Sequence, residues 1–93
     1  MTKSIIQEAK ECYFCGGQRN LERHHVYGGA LRSKSDRLGL TVWLCHNHHN
    51  EPPYGVHHNR RRMDWLRTEG QKAYEEKIGT REDFLREFHR NYL

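Results

Sequence analysis

The sequence is short of most of what holds a small protein together unaided. Only 34% of its 93 residues are hydrophobic and 30% are charged, so a core built from them is thin. Domains of this size with weak cores take a staple, which is a disulfide, a metal or a partner chain. Cysteines are few and odd in number: three cannot all pair with one another, which excludes a complete disulfide framework. No apolar stretch approaches a membrane span. Ile5-Ile6 is too short an apolar run for a signal peptide, and charges follow at once. The expectation is a cytosolic chain with reduced thiols, in which a Cys-x-x-Cys near histidines points to zinc. The only two prolines are adjacent, and Pro52-Pro53-Tyr54-Gly55 must interrupt any helix. Without internal repeats, low-complexity tracts or linkers, residues 1–93 parse as a single domain.

Histidine is what the chain has in excess. Seven of its eight histidines fall between His24 and His58, including a His24-His25 pair and the run Leu44-Cys45-His46-Asn47-His48-His49. Imidazole titrates near neutrality and ligates transition metals, so this density points to one or two metal sites and a catalytic base. The net charge of +4 is uneven: residues 16–67 hold nine Lys/Arg against four Asp/Glu, and residues 68–93 hold five against six. The positive excess thus sits in the histidine-rich segment and suits a polyanion, most simply nucleic acid. A plain solvated surface is the alternative.

Local patterns place these residues on elements. Leu21 to Val26 reads as a short strand entering a Tyr27-Gly28-Gly29 turn. Residues 30–40, with Arg32, Lys34 and Arg37, read as a basic loop, and Leu40 to Leu44 as the second strand of a hairpin. A helix is predicted from about Val56 to Ile78, with Met63, Leu66, Ala73, Tyr74 and Ile78 on one side. Thr80, with Asp83 three residues on, predicts the N-cap of a last helix from Arg81 to about Asn91. Its Phe84, Leu85, Phe88 and Tyr92 have helical spacing and read as core rather than as a base-stacking platform. That face packs within the monomer or joins two chains into a homodimer.

Two constellations carry chemistry. Cys12-Tyr13-Phe14-Cys15-Gly16-Gly17 has the form of a zinc knuckle, in which glycine takes the positive-φ position. Cys45 and His48 repeat the two-residue spacer, and Cys12, Cys15, Cys45 and His48 make a closed structural zinc set that supplies folding energy. The alternatives are cysteines buried as small hydrophobes, or His46 in place of His48.

The second constellation carries a resemblance. In order come Cys-x-x-Cys, His24-His25-Val26 at a strand end, a strand, Leu44-Cys45-x-x-His48-His49, and a further histidine at a helix start. This order resembles the HNH endonuclease family, the ββα-metal fold, over residues 12–59, and Val42-Trp43-Leu44-Cys45 with the later Val56-His57-x-Asn59 looks like small phage-type members. The resemblance implies a zinc-stapled, treble-clef-like α+β domain with a β-hairpin, to which residues 60–93 add a helical extension. It makes His24, His49 and His57 ligands of a catalytic divalent metal (magnesium, manganese, nickel or zinc), with His58 the alternative to His57. It makes His25 the general base. The implied activity is phosphodiester hydrolysis of DNA, by a phage-encoded protein in a bacterial cytoplasm. Arg60, Arg61 and Arg62, with Lys34 in the basic connection, are the candidates for holding phosphates.

One position departs from the family pattern. An Asn about five residues before the second knuckle, which pins the loop and so orients the base, is here Leu40. Asp36 or Ser35 is the candidate substitute, and Asn59 a candidate residue of the site. The competing reading is a non-catalytic, zinc-stabilised nucleic-acid-binding module, which needs Cys12, Cys15, Cys45 and His48 but not the surplus histidines.

Overall fold

A computed structural model describes residues 2–93. Strands β1 (Leu21–His25) and β2 (Thr41–Cys45) pair antiparallel, with Leu21 opposite Cys45 and His25 opposite Thr41. Four helices complete the α+β chain: α1 (Arg32–Leu38), α2 (His46–Asn50), α3 (Arg60–Lys77) and α4 (Arg81–Phe88). Single 3-10 turns at Gly29–Leu31 and Val56–His58 precede α1 and α3. Residues 2–11, ahead of the knuckle, have no regular structure. They lie along the hairpin, where the Ile5 N–H donates to the Gly39 carbonyl and the Gln7 side-chain oxygen accepts from the Trp43 N–H. Among the described residues, no helix is long and apolar enough to cross a membrane.

Three expectations about elements change. The basic connection is helical, not a loop: α1 closes at Gly39 in the left-handed region (φ 75°). It forms because Ser35 turns fully inward, where its hydroxyl accepts from the Tyr27 N–H (3.1 Å) and donates to the Tyr27 carbonyl (2.8 Å). The helix expected to run unbroken from Val56 is divided at Asn59, whose extended backbone ends one turn and whose side chain caps α3 by accepting from the Arg62 N–H. The last helix stops at His89 (φ 66°), short of Asn91.

The core lies between hairpin, α3 and α4. Val42 and Leu44 of β2 are buried with Val26, Tyr27, Leu40, Leu66, Tyr74, Phe84 and Phe88. The Tyr27 ring meets Phe88 at 4.6 Å and Phe84 at 5.5 Å, so the aromatic face of α4 is used inside the chain. Ile78, expected on the buried side of α3, is exposed. The Thr80–Asp83 capping box forms in full and fixes the start of α4.

Candidate metal centres

The N-terminal knuckle is a tight turn closed by its own backbone. The Gly16 N–H donates to the Cys12 carbonyl and the Cys12 N–H to the Gly17 carbonyl, both at 2.8 Å, with Gly16 at φ 75°. A further bond from the Tyr13 N–H to the Trp43 carbonyl (2.9 Å) fastens the knuckle to β2. Since β2 ends in Cys45 and α2 begins with the next residue, Cys45 and His48 lie one helical turn apart, beside the knuckle. One ligand atom from each of Cys12, Cys15, Cys45 and His48 lies within 4.8 Å of all the others.

The spacings suit a tetrahedral zinc. Bonds of about 2.3 Å to sulfur and 2.05 Å to nitrogen imply roughly 3.8 Å between sulfurs and 3.6 Å from sulfur to nitrogen. Cys15 Sγ to Cys45 Sγ is 3.9 Å, and His48 Nδ1 is 3.7 Å from Cys12 Sγ and 3.2 Å from Cys45 Sγ. Local electrostatics leans the same way. Burial opposes ionisation of Cys12, yet backbone N–H groups of Cys45, Cys15 and Phe14 outweigh it and bring the thiol below its ordinary value. Burial, then the Arg62 charge, pulls His48 down and favours its neutral, ligating form. Burial pushes Cys45 up, so a cation bound there must displace its proton against that tendency.

The neighbouring residue starts a second group. One step along a helix rotates a side chain by about 100°, so His49 leaves the cysteine side of α2 for the other. There His24, His49 and His57 each bring a ring nitrogen within 4.8 Å of the other two, and this group too could hold a metal ion. His49 Nε2 and His57 Nε2 are 3.1 Å apart, near the roughly 3.3 Å expected between nitrogens sharing one tetrahedral ion. The chain reaches this arrangement through Gly55. A Cβ there would stand 2.7 Å from the Glu51 N and 2.9 Å from the Asn50 N, so only glycine lets the proline loop close on α2 and present His57 to His49.

Glu22 braces the group. Its Oε1 accepts from His49 Nδ1 at 2.8 Å, which leaves the His49 Nε2 lone pair facing His57. Glu22 precedes His24 by two residues on β1, and strand alternation could have placed both on one face. His24 itself is 2% exposed, and its Nε2 has no hydrogen-bond partner. Burial, then the charges of His49 and His57, pushes its pKa down to about 3. His57 is lowered by partial burial and by His49 and His58. A buried, neutral, unpartnered imidazole facing two others fits a cation as its missing partner.

His25 points away from this group and meets a different residue. Its Nε2 lies 3.3 Å from Asp36 Oδ1, and the same carboxylate oxygen is 3.5 Å from Arg23. A cleft of about 280 Å³ is lined by His24, His25, His49 and His57 together with Arg23 and Arg32. Arg67 lines the adjoining cavity beside His24, His25 and His57. Two of the triplet singled out by the sequence are engaged elsewhere: Arg60 pairs with Asp64, and Arg62 lies against Phe14 and Tyr54, while Arg61 is exposed and does not line the cleft. Lys34 donates to the Glu87 carbonyl at the end of α4. His58 is exposed and outside the three-histidine group, and His46 is held between Glu22 and Glu51. Asn59 caps α3 and donates to the Pro53 carbonyl.

No family model, curated protein or solved structure matches this chain.

Proposed function

We propose that the chain is a metal-dependent endonuclease of the HNH type, a ββα-metal domain that hydrolyses phosphodiester bonds in DNA. One observation carries the reading: an orphaned, buried His24 in a three-histidine group shares a cleft with His25, a fourth histidine that the group does not use. A module that only binds has no need of either feature.

In this reading His25 is the general base. Asp36, accepting from Nε2–H, holds the neutral tautomer whose Nδ1 lone pair can take a proton. Water in the cleft loses that proton to His25 as its oxygen bonds to phosphorus; the 3′ oxygen departs and is protonated from solvent. A divalent cation bound by His24, His49 and His57 would supply Lewis-acid stabilisation of the charge that develops on the phosphate oxygens. Arg23 and Arg32 line the same cleft and suit a flanking phosphate. The closed cysteine site holds the hairpin to the knuckle, as in a treble clef, and takes no part in the reaction. By resemblance to small phage-type proteins, DNA in a bacterial cytoplasm is the setting we assign.

The test starts from protein that retains one zinc per chain after loosely held metal is removed. Plasmid is then offered with magnesium, manganese, nickel or zinc. Cutting that returns with a metal and is abolished in a folded His25→Ala variant supports the proposal. Undiminished cutting by that variant refutes the base, and no cutting with any metal refutes the enzyme.

A further inference from the structure

Three aromatic residues that α4 does not use come together on another surface. Phe14 of the knuckle, Tyr54 of the proline loop, and Arg62 and Trp65 of α3 come from three separate parts of the chain. The Arg62 guanidinium lies 5.1 Å from the Phe14 ring centre and 5.6 Å from that of Tyr54. Trp65, one turn further along α3, meets Phe14 at 5.6 Å. Two of the rings remain open to solvent: Tyr54 is 60% exposed and Trp65 44%. Large aromatics left in the open on a chain with so little hydrophobic material need a reason.

Packing of the knuckle against α3 accounts for Phe14 and for one edge of Trp65. It does not account for Tyr54, or for the cation set between rings. Among the described residues no carboxylate forms an ion pair with Arg61 or Arg62, and Arg61 is exposed.

We infer that Tyr54, Arg62 and Trp65, seated on the packed Phe14 ring, form a stacking track for unpaired bases of a single-stranded nucleic acid. Ring faces accept any base, but only one that has left its duplex partner's stack, while arginine at the rings meets the phosphates between bases. Tyr54 stands three residues before His57, at most about 10 Å along the chain, which is short enough for one strand to touch both. As a statement about substrate this rests on the nuclease reading, naming strands with unpaired bases as what reaches the cleft. As a statement about binding it is measured separately.

The experiment uses zinc-loaded, full-length protein and fluorescence anisotropy. Three probes of equal length, about 12 nucleotides, are compared: oligothymidylate, an abasic strand with the same phosphates, and a duplex. Wild type should prefer oligothymidylate. Trp65→Leu and Tyr54→Ala should each weaken that binding about tenfold and leave the abasic strand and duplex within about twofold. Arg62→Gln should weaken all three and flatten the salt dependence. Equal losses on every probe, no loss, or a wild type indifferent to bases would overturn the inference. If Trp65→Leu fails to fold, Tyr54→Ala decides, because its ring is mostly in solvent. Selective strand binding without cutting by any metal removes the nuclease reading and leaves the track; cutting with base-indifferent binding does the reverse.

Discussion

His24 makes the apo-site sensitive to acid by an amount that can be worked out. In the unfolded chain its imidazole takes a proton below about pH 6.5; folded, it does so only near pH 3, because burial and the neighbouring histidines oppose the charge. Between those values the unfolded chain binds the extra proton, so this contribution to stability is intact above pH 6.5 and is lost progressively as pH falls. From about pH 7.5 to 5.5 the loss is roughly 1.4 kcal/mol, and across the whole window it approaches about 5 kcal/mol. A domain of this size has only about 5–15 kcal/mol in total, so the effect is measurable.

Urea unfolding of zinc-loaded protein, with no second metal added, gives the comparison. Wild type should lose the stated stability over that pH range. His24→Leu, which removes the titrating group and keeps an apolar side chain in its place, should lose about 1.4 kcal/mol less. Zinc content is measured at each pH, because thiolate ligands also compete with protons. A divalent ion at a hundredfold excess over its Kd should then stabilise wild type by about 2.7 kcal/mol and His24→Leu by much less. Parallel pH profiles for the two proteins would refute the account of His24 as a buried neutral group. Equal stabilisation by metal would refute its place among the ligands.

Other substitutions separate the structural parts. Cys45→Ala should lose zinc and fold together, since zinc binding in such sites is worth about 10–16 kcal/mol; a folded, metal-free variant by circular dichroism and metal analysis would count against the cysteine centre. Ser35→Ala strips hydrogen bonds from the Tyr27 N–H and carbonyl and should cost about 1–3 kcal/mol in denaturant unfolding. Asp36→Ala should leave stability nearly unchanged and lower kcat about 10- to 100-fold with little change in KM, read in the plasmid assay. Gly70→Ala would gain about 1 kcal/mol in a free helix. Here its Cβ would stand 2.8 Å from the Tyr27 hydroxyl, which is held on the Arg67 carbonyl, so overpacking of about 1–3 kcal/mol should win and lower Tm.

Some of these parts were legible in the sequence because their spacing is set by local geometry. A two-residue spacer can bring two thiols to one side of a tight turn, and a Thr-x-x-Asp can close a capping box, with little help from the rest of the chain. The hairpin strands and the buried spacing of Phe84 and Phe88 were legible for the same reason. Contacts made across the chain were not. Nothing local to residues 30–40 announces α1, because what holds it is Ser35 reaching Tyr27, eight residues back. Nor does the Arg60-Arg61-Arg62 run show that it faces the knuckle rather than the cleft. That follows from where Asn59 breaks the helix and restarts it, which depends on the Pro53 carbonyl.

Leu40 shows how far such a reading can go. A leucine where a loop-pinning, base-orienting amide is expected looks like a loss of function when judged alone. In the fold, Leu40 belongs wholly to the core, and its backbone carbonyl receives the Val26 N–H just after the His24-His25 pair. In the nuclease reading proposed above, the two tasks of the amide would be divided between consecutive residues of α1. Ser35, pointing inward, fixes the backbone of the turn after β1; Asp36, the next residue and so rotated by about 100°, points outward and meets His25. The helix sets the angle between the two side chains, which sends one inward and the other outward. The unexpected α1 and the departure at Leu40 are therefore one feature, and Ser35→Ala and Asp36→Ala should fail in different ways, one in stability and the other in kcat.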